Sequence, residues 1–293
     1  MSLTIGAALR QAIRCLEQGR VSEPQAGAEV LLADVLGTTR PQLYVDAFCP
    51  LSTAQYAAFR ARLHRRSQGE PVQYITGRQE FWSLEFAVDS HVLIPRPESE
   101  LLVEHGARLA QQWCVAHPQA QLALLDVGTG SGNLALSLAY TLPQAQLWAV
   151  DCAFGALRVA RRNAQRLGVV ERLHWVCGDL LTAFRLREWR FALCVANLPY
   201  VTAAEWSSLP REIKDHEPCG ALCGGRDGLD LIRRLIATSP EVLAPDGALL
   251  LEVGWQQALA VQEVIRQQGR FCATGVYHDL AGIERVVWAQ VPS

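Results

Sequence analysis

"LALLDVGTGSGNLALSLA", residues 122–139, decides the fold. An apolar run, Leu122–Val127, reads as a strand, and Asn133–Tyr140 reads as a helix. Between them stand Gly128, Gly130 and Gly132. Glycines at such a turn let the backbone bend tightly and approach a ligand with no Cβ in the way. A strand–glycine turn–helix alone is compatible with a dinucleotide loop, a nucleoside–methionine pocket or a tight turn with no ligand.

The pattern repeats outward from this stretch. Strand-like runs are Gln146–Asp151, Arg172–Cys177, Phe191–Ala196 and Ala248–Val253, and helical runs are Phe154–Leu167, Leu229–Ala237 and Gln256–Gln268. Strands that are apolar throughout belong to a parallel sheet covered on both faces. The last stretch, "FCATGVYHDLAGIERVVWAQV", predicts an antiparallel hairpin closing the sheet. On the other side, "VQYITGRQEFWSLEFAVDS" predicts a β-hairpin with turns at Thr76-Gly77 and near Ser83. The first seventy residues read as helices only, with apolar stripes Ile5, Leu9, Ile13, Leu16 and Ala28, Leu31, Leu32, Val35. The expected organisation is a helical domain over residues 1–70, a β-hairpin linker over 71–97 and an α/β domain over 98–293.

Bulk properties narrow the class. The chain has 293 residues, half of them hydrophobic and 19% charged, with net charge −2. That is a packed globular composition without the basic excess of a protein held broadly by nucleic acid. No apolar run approaches the roughly 20 residues of a membrane span, and no unbroken apolar leader opens the sequence. Nine scattered cysteines, an odd number, fit a reducing compartment, so a cytoplasmic protein is expected. His216, Cys219 and Cys223 lack a fourth close ligand, and no metal is expected.

Acidic residues choose among the ligands of the glycine loop. Its spacing is Gly-x-Gly-x-Gly, and Asp126 immediately precedes it. A carboxylate there repels pyrophosphate but attracts the ammonium of a methionine moiety. Asp151 ends the second strand of the α/β domain, where a carboxylate accepts from ribose hydroxyls. Asp179 follows the third, placed to accept from an adenine amine while Leu180 packs on the ring. Each aspartate is also a common helix cap. Together they suit a cationic, adenosine-containing ligand, S-adenosyl-L-methionine, bound by Asp126, Gly128, Thr129, Gly130, Ser131, Gly132, Asp151, Asp179 and Leu180. The expected fold is therefore an α/β, Rossmann-like class I S-adenosylmethionine-dependent methyltransferase sheet with a C-terminal antiparallel hairpin.

The fourth strand of that sheet ends in Asn197-Leu198-Pro199-Tyr200. A planar –NH2 group is a poor nucleophile because its lone pair is delocalised. Oxygens that accept its N–H groups localise that pair and hold the nitrogen in line. The Asn197 side chain and the Leu198 carbonyl offer such acceptors, Pro199 stiffens the turn, and Tyr200 can cover the planar group. These four residues are the candidate catalytic and substrate-binding set.

The turn resembles the Asn-Pro-Pro-Tyr motif of methyltransferases acting on planar amino or amide nitrogens, with Leu198 where a proline is usual. The carbonyl survives that change, with some rigidity lost. "YITGRQEFWSLEFAVDSHVLIPRPESELLVE", "DVGTGSGNLALSLA", "AVDCAFGALRVARRNA" and "EPCGALCGGRDGLDLIRRLI" resemble the protein-glutamine N(5)-methyltransferases of peptide chain release factors, the HemK/PrmC family. The resemblance covers most of the chain from about Pro71 onward. It implies methylation of the glutamine in a release factor's Gly-Gly-Gln, with the Asn197–Tyr200 turn holding that glutamine. It also implies that Gly128 to Gly132, Asp151 and Leu180 bind the cofactor, that Asn197 faces both cofactor and substrate, and that Ile94–Pro97 and Glu217-Pro218 shape the pocket. A monomer with no direct nucleic-acid contact is expected. One rival is an amino-methyltransferase of nucleic acid, supported by Arg60, Arg62, Arg65 and Arg66, although such clusters are usually solvated faces. Another is a nucleotide-dependent dehydrogenase, which the glycine spacing and the turn oppose; a third is a binding module without activity. The N-terminal helices carry no chemistry of their own and are expected to recognise the release factor's body.

Overall fold

Helical periodicity becomes helical structure in the computed structural model, which describes residues 3–184 and 189–293. Met1 and Ser2, where the expected N-terminal domain begins, lie outside the described residues. In α1 (Ile5–Gln18), Ile5, Leu9 and Leu16 point inward, and the Thr4 hydroxyl accepts from the Ala7 N–H at 3.3 Å. Next come α2 (Pro24–Leu36) and α3 (Arg40–Val45), the latter with Pro41 in its first turn. α4 (Thr53–Ser67) starts with a reciprocal box: Ser52 Oγ accepts from the Gln55 N–H, and Gln55 Oε1 from the Ser52 N–H. Leu16, Leu31, Leu32, Leu43 and Phe59 make a core of their own, which helices this short require.

The predicted hairpin is shorter than its sequence pattern. Val72–Thr76 forms α5, not a strand. Tyr74 and Ile75 are buried there, and the Thr76 hydroxyl donates back to the Val72 carbonyl at 3.0 Å. Tertiary burial outweighs the β-preference of this aromatic and β-branched run. β1 (Arg78–Phe81) and β2 (Leu84–Ala87) pair about a turn at Trp82-Ser83. The chain divides into Met1–Arg78 with Pro210–His216, and Gln79–Leu209 with Glu217–Ser293.

Within the first unit the arginine cluster is largely paired. Arg66 is 4% exposed and donates to Glu212 at 2.7 Å and to Ser22 at 2.9 Å. Arg65 pairs with Glu70, and Arg62 with Asp34. Only Arg66 of the cluster is buried; Arg60 and Arg65 stay exposed, with Arg62 and Arg65 in ion pairs near the surface.

In the second unit α6 (Glu100–Ala116) follows a turn at Pro97–Ser99. Strand and helix then alternate as β3 (Ala123–Val127), α7 (Asn133–Thr141), β4 (Gln146–Asp151), α8 (Phe154–Leu167), β5 (Leu173–Cys177) and β6 (Phe191–Ala196). A one-turn helix, α9 (Ala203–Trp206), precedes a second, α10 (Arg211–Lys214), that belongs to the first unit; the second unit continues with α11 (Asp230–Thr238), β7 (Leu243–Glu252), α12 (Ala258–Gln268), β8 (Ala273–His278) and β9 (Glu284–Gln290). The sheet order is β5-β4-β3-β6-β7-β9-β8. β3 to β7 pair in parallel, and β9 runs antiparallel to β7 and β8, as the sequence predicts.

Burial on both faces follows the pleat. Leu124 joins the core on one side of β3 and Leu125 the core on the other. β7 begins at Leu243, not Ala248, because "APDG" is absorbed into the strand as an irregularity opposite Phe191 and Leu193, with Asp246 at φ 58°. The winding direction switches between β3 and β6, where a doubly wound sheet opens a crevice at its carboxyl edge. Among the described residues no helix is long and apolar enough to cross a membrane.

Candidate active site

A cavity of about 230 Å³ opens at that edge, lined by the glycine loop, the ends of β4 and β5, and the turn after β6. The loop is tied down to the neighbouring strand: Gly128 and Thr129 N–H donate to the Val150 carbonyl at 2.8 and 2.9 Å. Gly128 adopts φ +78°, and a Cβ there would lie 3.1 Å from the Leu198 side chain. Asp151 at the end of β4 faces the cavity, its two oxygens accepting from Gly130 N–H (2.9 Å) and Ala153 N–H (2.8 Å). Burial pushes its carboxyl above the ordinary aspartate range, against those two backbone bonds. Leu180 lines the cavity at φ +50°, a conformation costing about 1–2 kcal/mol for a residue with a side chain. Asp179 lines it too, but donation from Arg234 at 2.5 Å already engages one oxygen.

Asp126 lies elsewhere than the sequence reading expects. It is fully buried beneath the loop and does not line the cavity. Its Oδ2 accepts from the Thr129 hydroxyl (2.7 Å) and the Ala135 N–H (3.1 Å), so it fixes the loop to the start of α7. Burial, with Asp151 adding to it, pushes this carboxyl up to about 7. Its Oδ1 is buried with no hydrogen-bond partner. Gly132 likewise caps α7 without reaching the cavity.

The turn after β6 is split by function. Asn197, Leu198 and Pro199 line the cavity, whereas Tyr200 does not. The Asn197 Nδ2 donates to Ser99 Oγ at 2.9 Å. Ser99 in turn donates to Glu252 Oε2 at 2.5 Å, and the Tyr200 hydroxyl to Glu252 Oε1 at 3.2 Å. Tyr200 is thus held by a carboxylate at the end of β7 and does not line the cavity. The Leu198 side chain is buried in the core between Gly128 and the sheet, where it joins loop to turn.

Two family domains match: the PrmC N-terminal domain over residues 7–77 and a methyltransferase domain over 124–216. The release factor glutamine methyltransferase of Moorella thermoacetica is 40% identical over 283 residues, which is 97% of each chain. That of Geobacter sulfurreducens is 40% identical over 276 residues, 94% of this chain and 93% of the relative. The chain belongs to the release factor glutamine methyltransferase family. The catalytic domain of hMettl16 in complex with MAT2A 3'UTR hairpin 6 superposes with TM-score 0.56 at 15% identity, over 78% of this chain and 81% of that one. At that identity it speaks for the fold alone, a class I methyltransferase sheet.

S-adenosylmethionine is the cofactor of this methyltransferase family member, and the residues fit it. An apolar wall, a strand-end carboxylate and a close backbone suit a nucleoside, and the unmet Oδ1 of Asp126 favours positive charge near the loop. Supporting contacts come from Asn163 and Gln257, which the sequence reading does not single out, and from Glu217, which it does. Asn163 on α8 is buried and bridges Ser131 to Ala87, donating to both carbonyls at 2.9 and 3.0 Å. Glu217 accepts from the Ile94 N–H at 3.1 Å and from Arg96, joining the two stretches expected to shape the pocket. Gln257 donates to the Tyr200 carbonyl at 3.0 Å. Asn163 and Glu217 fall inside the family-like "AVDCAFGALRVARRNA" and "EPCGALCGGRDGLDLIRRLI" stretches, whereas nothing in the sequence marks Gln257. Among the described residues no metal-binding group of His, Cys, Asp or Glu occurs.

Proposed function

We infer that this chain transfers a methyl group from S-adenosylmethionine to the side-chain amide nitrogen of the glutamine in a release factor's Gly-Gly-Gln motif. The observation that carries this reading is the Asn197 amide at the cavity wall with its Nδ2 already bonded to Ser99, which leaves Oδ1 to accept an N–H. S-adenosylmethionine supplies a methyl group on a positively charged sulfur, already activated as an electrophile. Asp151, Leu180 and the Gly128–Gly132 loop hold the nucleoside and methionine parts, with Asp126 acting through the loop and Asp179 at the rim. Asn197 Oδ1 and the Leu198 carbonyl accept from the glutamine N–H groups and hold the nitrogen lone pair toward the methyl group. Pro199 keeps the turn rigid, and Tyr200 anchors it from behind. The amide nitrogen sheds its proton after it gains the methyl group, so no strong side-chain base is needed.

Finer features belong to the same reading. The enzyme acts as a monomer without direct nucleic-acid contact; against such contact, Arg62, Arg65 and Arg66 are each paired with an acidic side chain. It works in the cytoplasm, supported by nine free cysteines. Its N-terminal helices recognise the body of the release factor, because one glutamine side chain offers too little surface for specificity. Radiolabelled methyl transfer to purified release factor tests the whole. Label is expected on the intact factor and none when the Gly-Gly-Gln glutamine is alanine. Asn197→Ala is expected to lower the rate by roughly 10²–10³-fold while S-adenosylmethionine still binds. Undiminished label on the alanine factor would sink the reading.

A further inference from the structure

An asparagine amide has nearly the same shape in either orientation, but rotation by half a turn exchanges acceptor for donor. Only one orientation of Asn197 presents an oxygen to an incoming –NH2 group. The other would point two N–H donors at a group that also carries N–H donors. Something must choose.

We propose that Ser99 and Glu252 are positioning residues whose hydrogen-bond chain sets the Asn197 amide with Oδ1 toward the cavity. Ser99 has a single proton to give. An ionised Glu252 can only accept, and it receives that proton at 2.5 Å. The Ser99 oxygen is left as an acceptor, so Asn197 meets it through Nδ2 at 2.9 Å. Tyr200 occupies the remaining carboxylate oxygen, which ties the backbone of the turn to the same group. A protonated Glu252 can instead donate to Ser99. The Ser99 O–H is then free to donate a hydrogen bond to Asn197 Oδ1, and the amide turns its donors inward.

The surroundings of Glu252 keep this choice within reach of pH. The side chain is 2% exposed. Burial pushes its carboxyl up to about 7, Glu98 adds to the rise, and Ser99, Tyr200 and Arg285 oppose it. Arg96 acts on the Tyr200 end of the network.

The inference rests on Asn197 being the amide acceptor, and the experiment separates the two ideas. Steady-state kinetics would be measured with full-length enzyme and release factor for wild type, Asn197→Ala, Ser99→Ala, Ser99→Thr and Glu252→Gln. Ser99→Ala is expected to lower kcat 10- to 100-fold with KM for S-adenosylmethionine within twofold. Ser99→Thr, which keeps the hydroxyl, is expected to return kcat to within a few-fold. Wild-type kcat should fall on the acid side with a midpoint near pH 7, and Glu252→Gln should flatten that limb. A Ser99→Ala enzyme with wild-type kcat, beside an inactive Asn197→Ala, would overturn the relay and spare the acceptor. Full activity in Asn197→Ala would overturn the acceptor itself. Should Glu252→Gln fail to fold, the contrast between Ser99→Ala and Ser99→Thr still decides the relay.

Discussion

Asp126 and Glu252 hold matching places, one near the end of β3 and the other at the end of β7. Both are buried to within 2% exposure, and burial raises both carboxyls to about 7. Their wiring differs. Asp126 accepts from partners three and nine residues along the chain, and its second oxygen has none. Glu252 uses both oxygens, on partners 153 and 52 residues away, one of which holds the Asn197 amide. The same desolvation therefore accompanies a carboxylate that fixes the glycine loop in one case and, on the proposal above, one that orients the Asn197 amide in the other. Burial and titration alone do not tell a structural carboxylate from a functional one; the next atom in the chain of bonds does.

The largest effect is expected at the backbone behind the turn. Gly228 sits at φ +79°, and a Cβ would lie 2.1 Å from the Tyr200 carbonyl oxygen and 2.5 Å from Gln257 Nε2. Neither a side chain nor a small shift accommodates that, so Gly228→Ala should destabilise the protein by about 2–4 kcal/mol in denaturant melts. If the two ends of the cavity are independent, the folded fraction should still bind S-adenosylmethionine while methyl transfer is lost. Loss of both in proportion would break the contrast between a cofactor end and a substrate end.

Next come the carboxylates themselves, where the sign can be worked out. A folded value above the unfolded one means that the native state holds the proton more tightly. The stabilising contribution is full below the ordinary value of 3.8 for Asp126 or 4.5 for Glu252, and it is lost as pH rises to about 7. Between pH 5 and 8 each group should take away about 2–3 kcal/mol of stability. Asp126→Asn and Glu252→Gln should each make the stability–pH curve flatter. Only the second should also reshape the pH profile of kcat. Equal kinetic effects from both would erase the distinction drawn between them.

Legibility in the sequence follows the same divide. The sheet could be read because buried parallel strands are apolar runs, and the loop because its glycines and Asp126, Thr129 and Ala135 are neighbours in the chain. Asp126 was assignable to the loop from this closeness, although its direction was not, since a strand-end carboxylate can turn outward to a ligand or inward beneath the loop. The Asn197 turn was legible as chemistry. Its support was not: Ser99 is an ordinary serine at the start of a helix, and Glu252 is one acid closing a long apolar strand. Nothing local marks either residue until the fold brings them together. Val72–Thr76 failed for a related reason, because burial of Tyr74 and Ile75 overrides a β-like composition.

The smallest effects sharpen the cofactor end, where two strand-end aspartates looked equivalent in sequence. Asp151 is held by two backbone N–H groups, so its carboxylate is already aimed at the cavity before any ligand arrives. Asp179 is more than half exposed at its side chain and shares an oxygen with Arg234. A solvated, paired carboxylate adds little to binding, because water and the guanidinium already satisfy it. Asp151→Asn should weaken S-adenosylmethionine about tenfold by isothermal titration, the loss of one or two charge-assisted hydrogen bonds. Asp179→Ala should cost less than about threefold, and Arg234→Ala should leave or slightly strengthen binding by freeing the Asp179 oxygen. A larger loss in Asp179→Ala than in Asp151→Asn would mean that the rim, not the preorganised strand end, carries recognition of the nucleoside.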